Sequence, residues 1–525
     1  MAEALATTDS APREANASVT DWIAVAAGAL GALLATLDIS ITNSALPQIQ
    51  GQIGASGTEG TWISTGYLMS EIVMIPLAAW LTRVFGLRRF LMGVAIMFTL
   101  FSFACGMSTS LIGMIISRIG QGFAGGAMIP TAQTIIGTRL PKHQMAIGMS
   151  MFGLTVLLGP LLGPVLGGWL TENISWRWCF FINLPISLAL VTLLWTGIRP
   201  EKPDLHQFIK ADWVGILGLT LGLSALTVVL EEGQREHWFE SSMIVGLSLL
   251  CVLGLCLVAY GQFTAQRPIV KLSLMRNPRY ASVILIVSTV GAAIYGVSYL
   301  LPQFLGTISG YNAQQAGSIM LLSGIPAFLL MPILPRLLQR YDSRWVVGIG
   351  LVLFVLSCML SLNLTIDSVG HDFDNSQIVR GFAQILAMMP LNQITMAAVQ
   401  PHEKGEAAGL YNMARNIGGS MGLALTGVLI DRRNSYHDAM IRESLTANSL
   451  QGQAHMAAQN ASFMSQTGDQ ALAQLQSVAE LTRSIALQAQ VMTFSDCFYV
   501  LGIALALCIP LALLLKKPPL PPSPA

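Results

Sequence analysis

The chain has 525 residues, of which 53% are hydrophobic and only 10% charged, against roughly 25% charged residues in an ordinary globular protein. With 28 basic and 27 acidic residues, a net charge of +1 and a mean hydropathy of +0.61, the composition excludes a string of soluble domains and carries no basic footprint for nucleic acid. Most of the chain is solvated by lipid.

The first 21 residues hold Glu3, Asp9, Glu14 and Asp21 against Arg13 and run into an apolar segment with no small-residue cleavage site. They read as a cytoplasmic tail before an uncleaved first span. A bilayer core about 30 Å thick takes about 20 helical residues to cross. Fourteen apolar stretches of that length follow, beginning near Trp22, Trp62, Phe90, Leu111, Met145, Trp178, Trp213, Ser241, Tyr280, Gln314, Trp345, Gln377, Ala407 and Gln490.

Lys and Arg set the orientation, because basic loops stay on the cytoplasmic side. Loops after even-numbered spans hold Arg83, Arg88 and Arg89; Arg139 and Lys142; Arg199, Lys202 and Lys210; Arg267, Lys271, Arg276 and Arg279; Arg336, Arg340 and Arg344; and Lys404. Short loops after odd-numbered spans hold little beyond Arg177 and Arg235. Both termini are therefore expected in the cytoplasm, with Lys516 and Lys517 after the last span in agreement. The segment 431–489 is then a long outer loop, rich in Ala, Gln, Ser and Met and of weak helical character. All seven histidines are expected in loops, and the odd set of seven cysteines forms no CxxC or Cys/His cluster, so neither zinc nor a disulfide framework is implied.

An internal repeat is visible. Leu46-Pro47-Gln48 recurs as Leu301-Pro302-Gln303, and Pro130, Gln133 and Pro141 recur with the same spacing as Pro390, Gln393 and Pro401. The matches stay collinear, so spans 1 to 6 correspond to spans 9 to 14, with 7 and 8 as an inserted pair. The expected division is a tail at 1–21, a six-helix bundle at 22–198, a linker with two inserted helices at 199–279, a second bundle at 280–515, and a tail at 516–525.

Span 5 reads Gly159-Pro160-Leu161-Leu162-Gly163-Pro164-Val165-Leu166-Gly167-Gly168. Its prolines remove backbone donors, and glycines at i and i+4 let a neighbouring backbone approach. The motif Gly159, Gly163, Pro164, Gly167, Gly168 resembles the antiporter signature of drug:proton antiporters in the major facilitator superfamily. Leu37-Asp38-Ile39-Ser40-Ile41-Thr42-Asn43-Ser44-Ala45-Leu46-Pro47 is similar to the first span of the fourteen-span EmrB/QacA type. Arg118-Ile119-Gly120-Gln121-Gly122 matches the RxxQG pattern, and Trp176 to Pro185 resembles the entrance to span 6. The loop after span 2 departs from the family: Arg83 stands where an acid is usual and Val84 where an arginine is. An acid-dependent latch there is not expected, and the basic cluster serves topology.

An ionisable group in the hydrocarbon layer is costly unless it faces a cavity or a partner, so each is a functional candidate. Asp38, Glu71 and Arg118 are the candidates for proton coupling and substrate binding. Asp38 and Arg118 lie at similar depth and pair if their helices face each other; Glu71 sits near the bilayer middle. Either they titrate during exchange, or Asp38 and Arg118 form a structural ion pair and Glu71 bonds a neighbouring helix. Asn43, Gln121, Gln393 and Arg415 are candidate cavity residues, with Arg415 attracting a carboxylate substrate or pairing with Glu406.

The resemblance implies an all-α polytopic membrane protein of the major facilitator fold, with two six-helix bundles, two inserted helices and alternating access. It implies proton-driven export of hydrophobic or amphipathic drugs across a bacterial inner membrane, with no cofactor beyond the proton gradient. Partners are then the bilayer, a small-molecule substrate, and a periplasmic adaptor with an outer-membrane channel. A dedicated exporter of a metabolite, peptide, fatty acid or siderophore is the nearest rival, and a ligand-binding sensor the rival from another class. No P-loop, metal-ligand cluster or soluble signalling domain is apparent, so no enzyme is expected.

Overall fold

A computed structural model of the protein describes residues 16–204, 206–265, 268–444 and 450–515. Glu3, Asp9, Arg13 and Glu14 of the first tail, Arg267, and the proline-rich tail from Lys516 lie outside them. The described residues form helices and connecting turns, with no strand among them. An open helix bundle is the economical answer to lipid, because each helix satisfies its own backbone hydrogen bonds.

Among the described residues ten helices are long and apolar enough to cross a membrane. In the numbering of the expected spans they are 1 (Val19–Ile53), 2 (Trp62–Phe85), 3 (Leu87–Met107), 4 (Leu111–Arg139), 5 (Lys142–Asn173), 6 (Trp178–Gly197), 7 (Trp213–Glu232), 8 (Ser242–Thr264), 9 (Pro278–Thr307) and 14 (Gln470–Leu514). Positions 11 (Ser343–Met359), 12 (Asp374–Ala397) and 13 (Lys404–Ser444) hold helices that are shorter or more polar. Position 10 is split into Ala313–Leu321, Gly324–Leu330 and Leu334–Arg340. Pro326 and Pro335 stand in the first turns of the second and third pieces, where a missing N–H costs least. Span 5 instead continues as one helix through Pro160 and Pro164.

The same pairings recur in both parts of the chain. Span 1 packs on 5 and 6, 2 on 4, and 3 on 4 and 6; span 9 packs on 13 and 14, 10 on 12, and 11 on 12 and 14. Spans 7 and 8 pack chiefly on each other, and span 7 also lies against spans 2 and 13.

Two expectations need correction. The segment 431–489 is mostly helical: helix 13 runs on to Ser444, a separate helix covers Leu450–Thr467, and helix 14 starts at Gln470 rather than near Gln490. Helix 14 has 45 residues, about 67 Å at 1.5 Å per residue, twice what a bilayer core needs. The histidines are not confined to loops either. His437 is 4% exposed on helix 13 and meets Asp496 of helix 14, Nε2 to Oδ2 at 2.7 Å. The composition, rich in Ala, Gln and Ser, shows weak helical character, but without an apolar stretch it does not reveal how far these helices run.

Candidate functional site

Asp38, on span 1, is fully buried, and its carboxylate takes three donors. Arg118 Nη1 reaches Oδ2 at 2.6 Å, while Gln121 Nε2 and Asn183 Nδ2 each reach Oδ1 at 2.7 Å. The RxxQG spacing makes this possible: residues three apart on a helix share a face, so Arg118 and Gln121 address one acid together. Arg118 Nη1 also donates to Gln121 Oε1 at 2.9 Å, and its Nε to the Ile63 carbonyl at 3.4 Å. The guanidinium lies 4.3 Å over the Tyr67 ring, a cation–π contact that strengthens in a desolvated site. Asn183 is held in turn by Ser102 Oγ at 3.0 Å.

Gly122 and Gly126 explain how span 2 comes close enough. A Cβ at Gly122 would meet the Tyr67 carbonyl at 2.3 Å, and one at Gly126 the Glu71 carbonyl at 2.4 Å. Span 4 breaks at this point, between Gly125 and Met128. Glu71 is 3% exposed. Unlike Asp38, it makes no hydrogen bond or ion pair among the described residues; the charges within its reach are Arg415, Arg118 and Asp38. The expectation that it bonds a neighbouring helix is not met.

The span 5 glycines form a smooth track for span 1. Cβ atoms at Gly159, Gly163 and Gly167 would fall 2.2, 2.3 and 2.0 Å from the hydroxyls of Thr36, Ser40 and Ser44. Both triplets repeat every four residues, so two helices mesh small against small. Gly168 is not part of the track and faces open space, while Pro164 looks away toward Gly317 of span 10.

The four candidate cavity residues separate. Gln121 is fully buried and locks the ion pair rather than lining a hollow. Asn43 is exposed and accepts from Ser64 Oγ at 2.8 Å. Gln393 has a buried Nε2 with no partner. Arg415 is half-buried, and among the described residues its side chain hydrogen-bonds Asn416 Oδ1 at 3.4 Å and does not pair with Glu406.

Glu406 pairs instead with Arg83, across from span 2. The acid missing from the loop after span 2 is thus supplied by the start of helix 13, so Arg83 does more than mark topology. Close by, Lys404 Nζ donates to the Gly137 carbonyl, and Asn412 Nδ2 to Gln133 Oε1 at 2.6 Å. These contacts close one end of the cleft between spans 2 and 4 and helix 13.

Sequence reasoning missed Asn183, Ser102 and Tyr67 as supports of the ion pair, although Asn183 stood inside the quoted span 6 motif. It also missed Glu231 and Glu232 at the end of span 7. Glu232 is 3% exposed and accepts from Thr65 Oγ1 at 2.5 Å and Thr61 Oγ1 at 3.2 Å, and Glu231 accepts from Ser420 Oγ at 2.7 Å.

A buried acid–base pair, a glycine-lined span 5, and matched helix pairings have a counterpart among known proteins. Residues 28–423 match the profile described as Major Facilitator Superfamily. The chain belongs to that superfamily. It is similar to the colistin resistance protein EmrB of Acinetobacter baumannii, 32% identical over 92% of this chain and 94% of that one. It is also similar to the multidrug export protein EmrB of Escherichia coli K12, 32% identical over 79% and 81%. The fatty acid resistance protein FarB of Neisseria gonorrhoeae is 28% identical over 95% and 96%. In fold it resembles the proton:xylose symporter XylE, with a TM-score of 0.61 at 14% identity over 95% and 96% of the two chains. As a member of this superfamily the chain is a multi-pass membrane transporter and not an enzyme.

Proposed function

We propose that the protein exports hydrophobic or amphipathic compounds by exchanging them for protons at Glu71. One observation carries this reading: Glu71 is buried at depth with no donor among the described residues, within electrostatic reach of the fixed Asp38–Arg118 pair and of Arg415. A carboxyl that the protein leaves unsatisfied is free to trade a proton for a ligand, whereas Asp38, saturated with donors, holds Arg118 in place and sets the local field. Residues 22–198 and 280–515 are read as the two bundles, 199–279 as the linker with its inserted pair, and the chain as fourteen spans with both termini in the cytoplasm of a bacterial inner membrane. The recurring helix pairings and the distribution of basic loops support this division.

The proton gradient is the energy source and no cofactor is used. Export of multiple drugs is the favoured substrate class, in line with the names of the EmrB relatives. A fatty acid substrate is the second reading, favoured by the likeness to FarB and by the cationic Arg415 beside Glu71. The helices that extend past the membrane, Lys404–Ser444 and Gln470–Leu514, are the surface for a periplasmic adaptor leading to an outer-membrane channel.

The test is transport into inverted membrane vesicles with an imposed pH gradient, using ethidium and oleate as separate probes. Ethidium uptake that collapses with the gradient fits drug export; oleate uptake alone moves the assignment to a fatty acid exporter. Gradient-independent movement of either overturns the proton-exchange mechanism.

A further inference from the structure

We propose that Glu231 is a proton-binding group of the transport cycle, so that the inserted pair of spans 7 and 8 takes part in coupling; the proposal rests on the proton-exchange reading above. Span 7 lies against both halves of the molecule, on span 2 and on helix 13, and its last turn presents two adjacent acids in different directions. Glu232 faces span 2, where Thr65 and Thr61 supply two donors, and Arg235 in the turn after span 7 supplies a third at 3.4 Å. Glu231 faces helix 13, where the Ser420 hydroxyl is its one hydrogen-bond partner among the described residues.

The groups around Glu231 are few. Its own helix brings Glu232 and the turn after it Arg235; helix 13 brings Ser420; span 9 brings Tyr295. Tyr295 lies within electrostatic reach of Glu231, Glu71 and Arg415 alike, and its ring fills the space beside Gly419, where a Cβ would meet it at 2.3 Å. The phenol is therefore within electrostatic reach of both the acid at the end of span 7 and the acid in the middle of span 2. Glu231 has one hydroxyl partner and no ion pair among the described residues, and Ser420 can reverse its bond to accept from the protonated form. Because Ser420 is on one half and the Glu232 contacts are on the other, loading Glu231 changes the link between halves when they move apart.

The test uses the full-length protein with Glu231→Gln and Glu232→Gln. In proteoliposomes, Glu231→Gln is expected to lower gradient-driven ethidium efflux about tenfold, to keep ethidium counterflow without a gradient within roughly twofold of wild type, and to flatten the dependence on outer pH. Infrared difference spectra of the purified protein between acid and alkaline pH give a readout that needs no substrate: a protonated-carboxyl band should vanish in Glu231→Gln and persist in Glu232→Gln. Unchanged driven efflux and pH profile, a carboxyl difference spectrum unaltered by Glu231→Gln, or equal loss of efflux and counterflow would each overturn the proposal. A wild-type protein inert toward ethidium tells against the export reading instead, and the infrared band still decides Glu231.

Discussion

Two buried arginines occupy matching helices of the two halves and are treated in opposite ways. Arg118 of span 4 is 1% exposed and has an acid, an amide, a carbonyl and an aromatic ring around it. Arg380 of helix 12 is 5% exposed, meets no carboxylate among the described residues, leaves Nη1 unpartnered, and reaches only Ser323 Oγ at 3.5 Å. The difference teaches that a duplicated scaffold need not duplicate its chemistry. The acid–base network sits in the amino-terminal half, while the other half contributes Arg415, Ser420 and Glu406 at the interface.

The comparison breaks first at the ion pair. Arg118→Ala or Asp38→Ala leaves an uncompensated buried charge and is expected to cost about 3–5 kcal/mol, read as a fall in unfolding temperature in detergent together with lost efflux. Equal tolerance of Arg118→Ala and Arg380→Ala would erase the distinction between the halves. Next comes the helix that holds Asp38: Gly163→Ala forces a methyl against Ser40 and the Ile41 backbone, an overpacking cost of about 1–3 kcal/mol. Gly168→Ala enters open space and should be silent in the same melt.

Where the halves complement each other, charge reversal sharpens the picture. Arg83→Glu or Glu406→Arg alone should lower efflux several-fold, and the double swap should restore most of it, with a coupling of about 1 kcal/mol for this partly exposed pair. An efflux rate indifferent to all three would demote the contact to surface decoration. The smallest effect is expected at Arg380. Replacing it by Met removes a charge that has no acid to strand, so stability should stay within about 1 kcal/mol of wild type or rise.

Much of this was legible in the sequence because the relevant signals are local. The prolines and glutamines of the repeat, the RxxQG spacing and the span 5 glycines each state a helix face within a few residues. Their depth along the helices already allowed Asp38 to meet Arg118. What was not legible depends on contacts made at a distance: Glu406 belongs to Arg83 and not to its near neighbour Arg415, and Gln121 turns inward to an acid rather than toward a hollow. Glu231 and Glu232 escaped notice for another reason. At a span end a carboxylate needs no explanation, and only the packing of span 7 against span 2 and helix 13 buries Glu232 and half-buries Glu231.

Proton release from the purified protein on adding ethidium, in lightly buffered detergent solution, reaches the claim about Glu71 most directly. Wild type should acidify the medium, and Glu71→Gln should bind ethidium while releasing no proton. Undiminished release from Glu71→Gln would contradict the account and pass the exchange to another acid.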